Sequence, residues 1–181
     1  MTLSFFTIGH SKRSLDEFVA LLRGSRIEKV VDVRTVPRSR TNPQFNKDTL
    51  PGNLAAFEIS YEHLAALGGL RGKVKSLPPD INAFWTNESF HNYADYALSE
   101  PFRTDLEHLR DEGGERRCAI MCSEAVWWRC HRRIISDYLI AGGARVFHIM
   151  GPGRVEAAHL TGSAVPRADG TIVYPVQPSD G

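Results

Sequence analysis

The stretch FFTIGHSKRSLDEFVALLRGSRIEKVVDVR, Phe5 to Arg34, decides the fold. It opens on a short β-like run, Phe5-Phe-Thr-Ile8, that stops at Gly9-His10-Ser11. Ser14-Leu-Asp-Glu17 matches a capping box, in which each side chain satisfies an N–H that the first helical turn leaves free. Leu15, Phe18, Val19 and Leu22 follow at helical spacing, and Gly24 supplies the stop. Val30-Val-Asp-Val33 then reads as a second strand ending at Arg34. Strand, helix and strand in this order form a βαβ unit, which implies a parallel sheet.

The rest of the chain extends that unit. Residues 34–50 are polar, contain Pro37 and Pro43, and read as a long loop of the kind that more often carries function. Pro51 starts a short helix through Phe57, and Ile59-Ser-Tyr61 is a third strand. A loop runs from Gly68-Gly69 to Pro79, and two helices follow, Phe90 to Leu98 and Phe102 to Arg110. Ala119-Ile-Met121 is a strand leading into Cys122. A helix from Trp128 to Ala141 stops at Gly142-Gly143, and Val146-Phe-His-Ile149 is the last parallel strand. Between Ala157 and Tyr174, an Asp169-Gly170 turn predicts a small hairpin. The expectation is an α/β fold: a single domain over 1–175, with a mainly parallel central sheet flanked by helices, a small C-terminal hairpin and a flexible tail over 176–181.

Composition narrows the function. A chain of 181 residues, 42% hydrophobic, can bury a core without covalent staples. Its 22 basic and 21 acidic residues leave a net charge of +1, so any anion site must be a local patch. Arginines do cluster, at Arg34, Arg38 and Arg40 and again at Arg129, Arg132 and Arg133. Three cysteines without framework spacing fit a reducing, cytoplasmic setting. No signal peptide and no membrane span is expected, because no apolar run approaches the required length. Neither a Walker loop nor a G-x-G-x-x-G occurs, and no cofactor is expected.

The chemistry concentrates in Cys118-Ala-Ile-Met-Cys-Ser-Glu-Ala-Val-Trp-Trp-Arg-Cys-His-Arg-Arg133. Cys122 ends an apolar strand just before a basic helix, where helix-start N–H groups stabilise a thiolate. It is the expected nucleophile, with Glu124 as acid or base (or as a charge complementing the helix dipole) and His10 assisting. Ser11, Arg34, Arg38, Trp127, Cys130, His131 and Arg132 are the expected substrate contacts. Asp32 is expected to support the fold from the face opposite Arg34. Cys130, His131 and Arg132 are expected on one helix, where neighbours splay about 100° apart. Cys118 reads as core, and His148 as structural although near a strand end. Ligands bind outside the carboxyl ends of parallel strands, so His10, Ser11, Arg34, Cys122, Glu124 and His148 should share one rim. Cys118 and Cys122, four apart on a strand, sit roughly 13 Å from each other, so one zinc cannot hold both and no metal is expected. Six residues separate Cys122 from Arg129, one more than the phosphatase-type cradle, and none is glycine. Two tryptophans there suit a flat substrate such as a nucleobase.

Together, Thr7-Ile-Gly-His-Ser11, Asp32-Val-Arg34 with Pro37 and Ser39, Gln44-Phe45-Asn46, Leu67-Gly-Gly69, Cys122-Ser-Glu124, Cys130-His-Arg132, Gly143 and Val146-Phe-His148 resemble the family catalogued as domain of unknown function 488. The resemblance implies a small α/β domain with a site at these residues, and no reaction. The expected function is a cysteine-dependent enzyme acting on a nucleotide, a nucleic-acid base or another phosphorylated or anionic molecule. The alternative is a non-catalytic nucleic-acid-binding module, with the arginine clusters on phosphates and Phe45, Trp127 and Trp128 stacking bases. A third option is a protein-interaction domain with a vestigial cleft and an unreactive, buried Cys122.

Overall fold

The computed structural model describes residues 2–176, so all of the expected tail except Val176 lies outside the described residues. Eight strands and five α-helices follow one another along the described residues. The first βαβ unit is β1 (Ser4–Gly9), α1 (Leu15–Gly24) and β2 (Lys29–Asp32). The Ser14/Glu17 capping box is formed, with both reciprocal hydrogen bonds in place. Then come α2 (Leu50–Ala55), β3 (Ser60–His63), α3 (Glu88–Tyr96) and α4 (Glu100–Glu115). The chain continues through β4 (Cys118–Cys122), α5 (Arg132–Ala141), β5 (Arg145–Gly151) and β6 (Arg154–Ala157). It closes on the two-strand hairpin β7 (Val165–Pro166) and β8 (Ile172–Val173). Asp169 Oδ1 accepts hydrogen bonds from the Thr171 backbone N–H and hydroxyl, and Gly170 takes φ +86°, so the Asp-Gly turn sits inside that hairpin.

The main sheet has the order β3-β2-β4-β1-β5-β6. Its first five strands run parallel and β6 pairs antiparallel with β5. Sequence reading misses β6 because all four of its residues are exposed and no apolar alternation marks it. The inner strands are covered on both faces, which is why they read as continuous apolar runs. Successive residues alternate between two cores. Phe6, Ile8, Val30, Ala119 and Met121 pack with Phe18 and Leu22 of α1, whereas Phe5, Val31, Cys118, Ile120 and Cys122 pack with Tyr93, Phe102, Ile134 and Ile135 of α3, α4 and α5. Each fully buried Val, Leu, Ile, Phe or Met side chain among these contributes roughly 1.5–3 kcal/mol through apolar burial. The same alternation aims Cys122 toward α5. No helix of the described residues is long and apolar enough to cross a membrane.

The helix expected from Trp128 starts four residues later. Trp127–Arg129 form a 3₁₀ turn, and Cys130 is extended (φ −128°, ψ 148°), which breaks helical continuity before Arg132. His148 is a second correction: it lies in the middle of β5, 2% exposed, and not at the strand-end rim.

Candidate active site

Strand order builds the site. The adjacent strands β2, β4 and β1 end side by side, and they carry Arg34, Cys122 and His10 at or just beyond their carboxyl ends. The ends are tied together: His10 N–H donates to the Cys122 carbonyl (2.9 Å), Ser11 N–H to that of Ser123 (3.0 Å) and Val33 N–H to that of Met121 (2.9 Å). Gly9 makes the closure feasible, because a Cβ there would sit 1.8 Å from the Glu124 carbonyl oxygen. Above these ends lies a cleft of about 630 Å³. Its walls hold His10, Lys12, Arg34, Arg38, Arg129 and His131 against one acidic side chain, Glu124. A chain of net charge +1 thus gathers basic side chains where the strands end.

Cys122 and Cys130 lie on the cleft floor with their sulfurs 2.7 Å apart, both free thiols. Burial raises the Cys122 thiol well above its usual range, and neighbouring Cys130 adds to the effect. Burial also pushes Cys130 up, but the hydrogen bond from the Cys122 S–H and the positive charges of His131 and Arg132 outweigh it, so Cys130 ends well below the usual thiol range. These surroundings favour the thiolate at Cys130 and the protonated thiol at Cys122.

Arg132 explains this asymmetry. It is 1% exposed, among the largest fully buried side chains. Its backbone N–H and its Nε both donate to Cys130 Sγ at 3.4 Å. Nη1 donates to Thr7 Oγ1 (3.1 Å) and Nη2 to the Glu124 carbonyl (2.7 Å). No carboxylate pairs with it among the described residues. Burying an unpaired charge costs several kcal/mol, and the Cys130 sulfur is the group in reach that can carry the balancing charge. The first N–H of α5 adds the helix-start contribution.

His131 completes the set. Its Nε2–H donates to the Val33 carbonyl (2.7 Å), which leaves Nδ1 as the acceptor 3.5 Å from Cys130 Sγ. That tautomer can take the Cys130 proton. A Cβ on Gly69 would come 2.6 Å from His131 Nδ1, and one on Gly68 would come 2.4 Å from Thr35 Oγ1. The glycine pair is therefore a close-approach site that lets the 34–50 and 64–79 loops seat the imidazole. Tyr93 of α3, its ring centroid 5.1 Å from that of His131, closes the floor.

On the other side, Asp32 grips Arg34 in a fork: Nε to Oδ1 (2.9 Å) and Nη2 to Oδ2 (2.7 Å), with the Arg34 backbone N–H also on Oδ1 (3.0 Å). The expectation of opposite faces is corrected here, because positions two apart in an extended chain share a face. Tyr61 donates to Asp32 Oδ2, and burial followed by that carboxylate raises the phenol. Arg34 also donates to the Phe45 carbonyl (2.6 Å) and to His10 Nε2 (3.3 Å). His10 Nδ1–H donates to the Ser11 carbonyl (2.9 Å), and its ring stacks on Phe45 at 4.4 Å. Burial lowers the His10 pKa, the Ser11 carbonyl opposes this, and Arg34 lowers it further, so His10 is neutral and fixed in one tautomer.

Of the residues singled out in the sequence, Cys122, Glu124, His10, Ser11, Arg34, Arg38, Cys130 and His131 line the cleft. Trp127 does not. It stacks on His148 at 4.6 Å and 7°, and its indole N–H has no partner. Arg132 lies beneath the floor. The splaying expected of Cys130, His131 and Arg132 is also corrected: α5 starts only at Arg132, so the extended Cys130 lets His131 and Arg132 both reach its sulfur. Lys12 and Tyr93 are not among the contacts that the sequence singles out. Tyr93 left no signal in a helix that reads as ordinary, whereas Lys12 beside His10 could have been found from its strand-end position. Cys118 is fully buried and pushed up by burial to about 11, as a core thiol.

His148 gives a pH prediction. Burial and then Arg132 hold its pKa down at about 3, and Nδ1 shares a 2.6 Å hydrogen bond with Thr7 Oγ1. Between that value and the ordinary one near 6.5, the unfolded chain binds the extra proton, so stability falls as pH falls through this window. At pH 4 the loss from this group should approach about 3 kcal/mol. Urea unfolding at pH 7 and pH 4 should show it, and His148→Asn should reduce the difference by more than half. An unchanged pH slope in the variant would refute the assignment.

Among the described residues, one other group could hold a metal: Glu62, His108 and Glu112 outside the cleft. Lys29 Nζ already bridges these carboxylates, 2.8 Å from Glu62 and 2.7 Å from Glu112.

No curated protein and no solved structure matches the chain. One family model, described as "Domain of unknown function DUF488", matches residues 14–139, a span that holds Arg34, both cleft cysteines, His131 and Arg132.

Proposed function

The chain belongs to the DUF488 family, and from that premise we propose a cysteine-dependent enzyme acting on a nucleotide, a nucleic-acid base or another phosphorylated or anionic substrate in the strand-end cleft. The carrying observation is Arg132, a fully buried guanidinium that donates to a cysteine sulfur and has no carboxylate partner among the described residues. The nucleophile is Cys130, a role that sequence reading gave to Cys122. His131 Nδ1 receives the Cys130 proton, and the Cys122 S–H stabilises the thiolate. Arg34, Arg38 and Arg129 bind the anionic part of the substrate, with His10 holding Arg34 in place. Attack by Cys130 forms a thio-linked intermediate on an electrophilic carbon or phosphorus, and Glu124 on the rim protonates the departing group.

The nucleic-acid-binding reading is weaker on these contacts. Phe45 is fully buried and Trp127 is stacked on His148, so of the three expected stacking platforms only Trp128, 45% exposed, is free.

Iodoacetamide labelling with peptide mapping tests the proposal. An ordinary thiol reacts about tenfold faster per pH unit between pH 6 and 8. Labelling of Cys130 should instead be nearly flat across that range, and phosphate or nucleotides should slow it. Cys130→Ser should lose this phase, and turnover of any substrate found in a nucleotide and phosphoester panel. Cys122→Ser should keep the flat phase. A flat phase that maps to Cys122, or none at all, would overturn the assignment.

A further inference from the structure

We infer that Cys122 and Cys130 form a dithiol/disulfide couple oxidised by hydroperoxides, a redox activity that rests on the reading of Cys130 as a thiolate. Two free sulfurs 2.7 Å apart need a closure of only about 0.7 Å to reach a disulfide bond. Cys130 leads into α5 in extended conformation and is not locked within a helix, so the small movement falls on a connecting residue. Both sulfurs line the cleft, and Cys130 retains 5% exposure, enough for a small peroxide to reach it. Cys118, the third thiol, points from the opposite end of β4 and lines no part of the cleft.

The chemistry balances in two steps. The Cys130 thiolate attacks one oxygen of the hydroperoxide, the O–O bond breaks, and Cys130 becomes a sulfenic acid as hydroxide (or alkoxide) leaves. The Cys122 thiol then attacks the sulfenic sulfur, an S–S bond forms, and the sulfenic hydroxyl departs as water with the thiol proton. The peroxide is reduced and the two thiols are oxidised.

Arg132 sets the character of the couple. Oxidation removes the one anion that this buried guanidinium contacts among the described residues, which penalises the disulfide and favours the reduced form. The bond is therefore easily reduced, a reversible catalytic or protective disulfide and not a structural one. It also consumes the nucleophile, so peroxide and the proposed anionic substrate compete for one sulfur.

The full chain treated with hydrogen peroxide near neutral pH, digested and mapped, tests this. The expected product is a Cys122–Cys130 link that dithiothreitol reverses, with Cys130 protected from further oxidation. In Cys122→Ser, Cys130 should pass on to sulfinic and sulfonic acids at least tenfold more often than in the wild type. Parallel iodoacetamide labelling of the reduced protein separates the two proposals. Flat, fast labelling of Cys130 without a peroxide-induced link would overturn the couple while leaving the nucleophile standing. Absence of both would remove the couple together with its premise. Equal over-oxidation of Cys130 in wild type and Cys122→Ser, or a link made through Cys118, would also overturn it.

Discussion

Arg132→Ala is expected to destabilise the protein by about 3–5 kcal/mol and to abolish the flat neutral-pH labelling of Cys130. The guanidinium is the largest fully buried side chain and holds Cys130, Thr7 and the Glu124 carbonyl at once. Alanine leaves a cavity, two unsatisfied acceptors and a sulfur whose charge has lost its partner. The thiol then takes up a proton, and its reactivity should rise with pH as an ordinary thiol's does. Arg132→Met separates volume from charge: it should recover part of the stability and none of the reactivity. The pH sign follows from the lowered Cys130 pKa. A depressed acid contributes stability that is fully present above the unfolded thiol value, near 9, and is lost as pH falls through the folded value. Urea unfolding should therefore show wild type gaining on Cys130→Ala as pH rises toward 9, and Arg132→Met should show no such gain. A mild Arg132→Ala with unchanged labelling would mean that the arginine does not set the thiol's charge.

Asp32→Ala should cost a comparable 3–5 kcal/mol, because it strands a guanidinium that is 6% exposed. Asp32 accepts from three Arg34 donors and from the Tyr61 hydroxyl, so four donors lose their acceptor in one substitution. Arg34 would turn into the cleft, and His10 would lose the contact that orders its Nε2. The double variant Asp32→Ala/Arg34→Met should regain a large part of the stability, since removing both charges of a buried pair costs less than removing one. Unfolding curves of the two variants measure this. A loss under about 1 kcal/mol for Asp32→Ala would show that the pair behaves as a solvated one.

Much of the fold was legible because its signals are local. The Ser14-x-x-Glu17 box, the helical spacing after it and the apolar runs at β1, β2 and β4 each speak through neighbouring residues. β6 was not legible, since Arg154-Val-Glu-Ala157 carries no burial pattern and depends on the edge that β5 offers. The rim was legible by topology: residues after parallel strands converge. Which cysteine carries charge was not, because that depends on β4 lying between β2 and β1 and on α5 beginning late. Had the helix run from Trp128, Cys130, His131 and Arg132 would have splayed apart. The extended backbone at Cys130 brings the next two residues, His131 and Arg132, onto its sulfur, and no propensity announces it. Asp32 and Arg34 could have been paired from the sequence, since their two-residue spacing already places both on one face.

The central claim is that Cys130 is a thiolate at neutral pH, held by Arg132. Titration of the thiolate ultraviolet absorbance in wild type, Cys130→Ser and Cys122→Ser measures it most directly. The expected result is a thiolate signal persisting well below the ordinary thiol range in wild type and Cys122→Ser and missing in Cys130→Ser. Ordinary titration in all three proteins, or a low-pH signal that survives in Cys130→Ser and vanishes in Cys122→Ser, would contradict it.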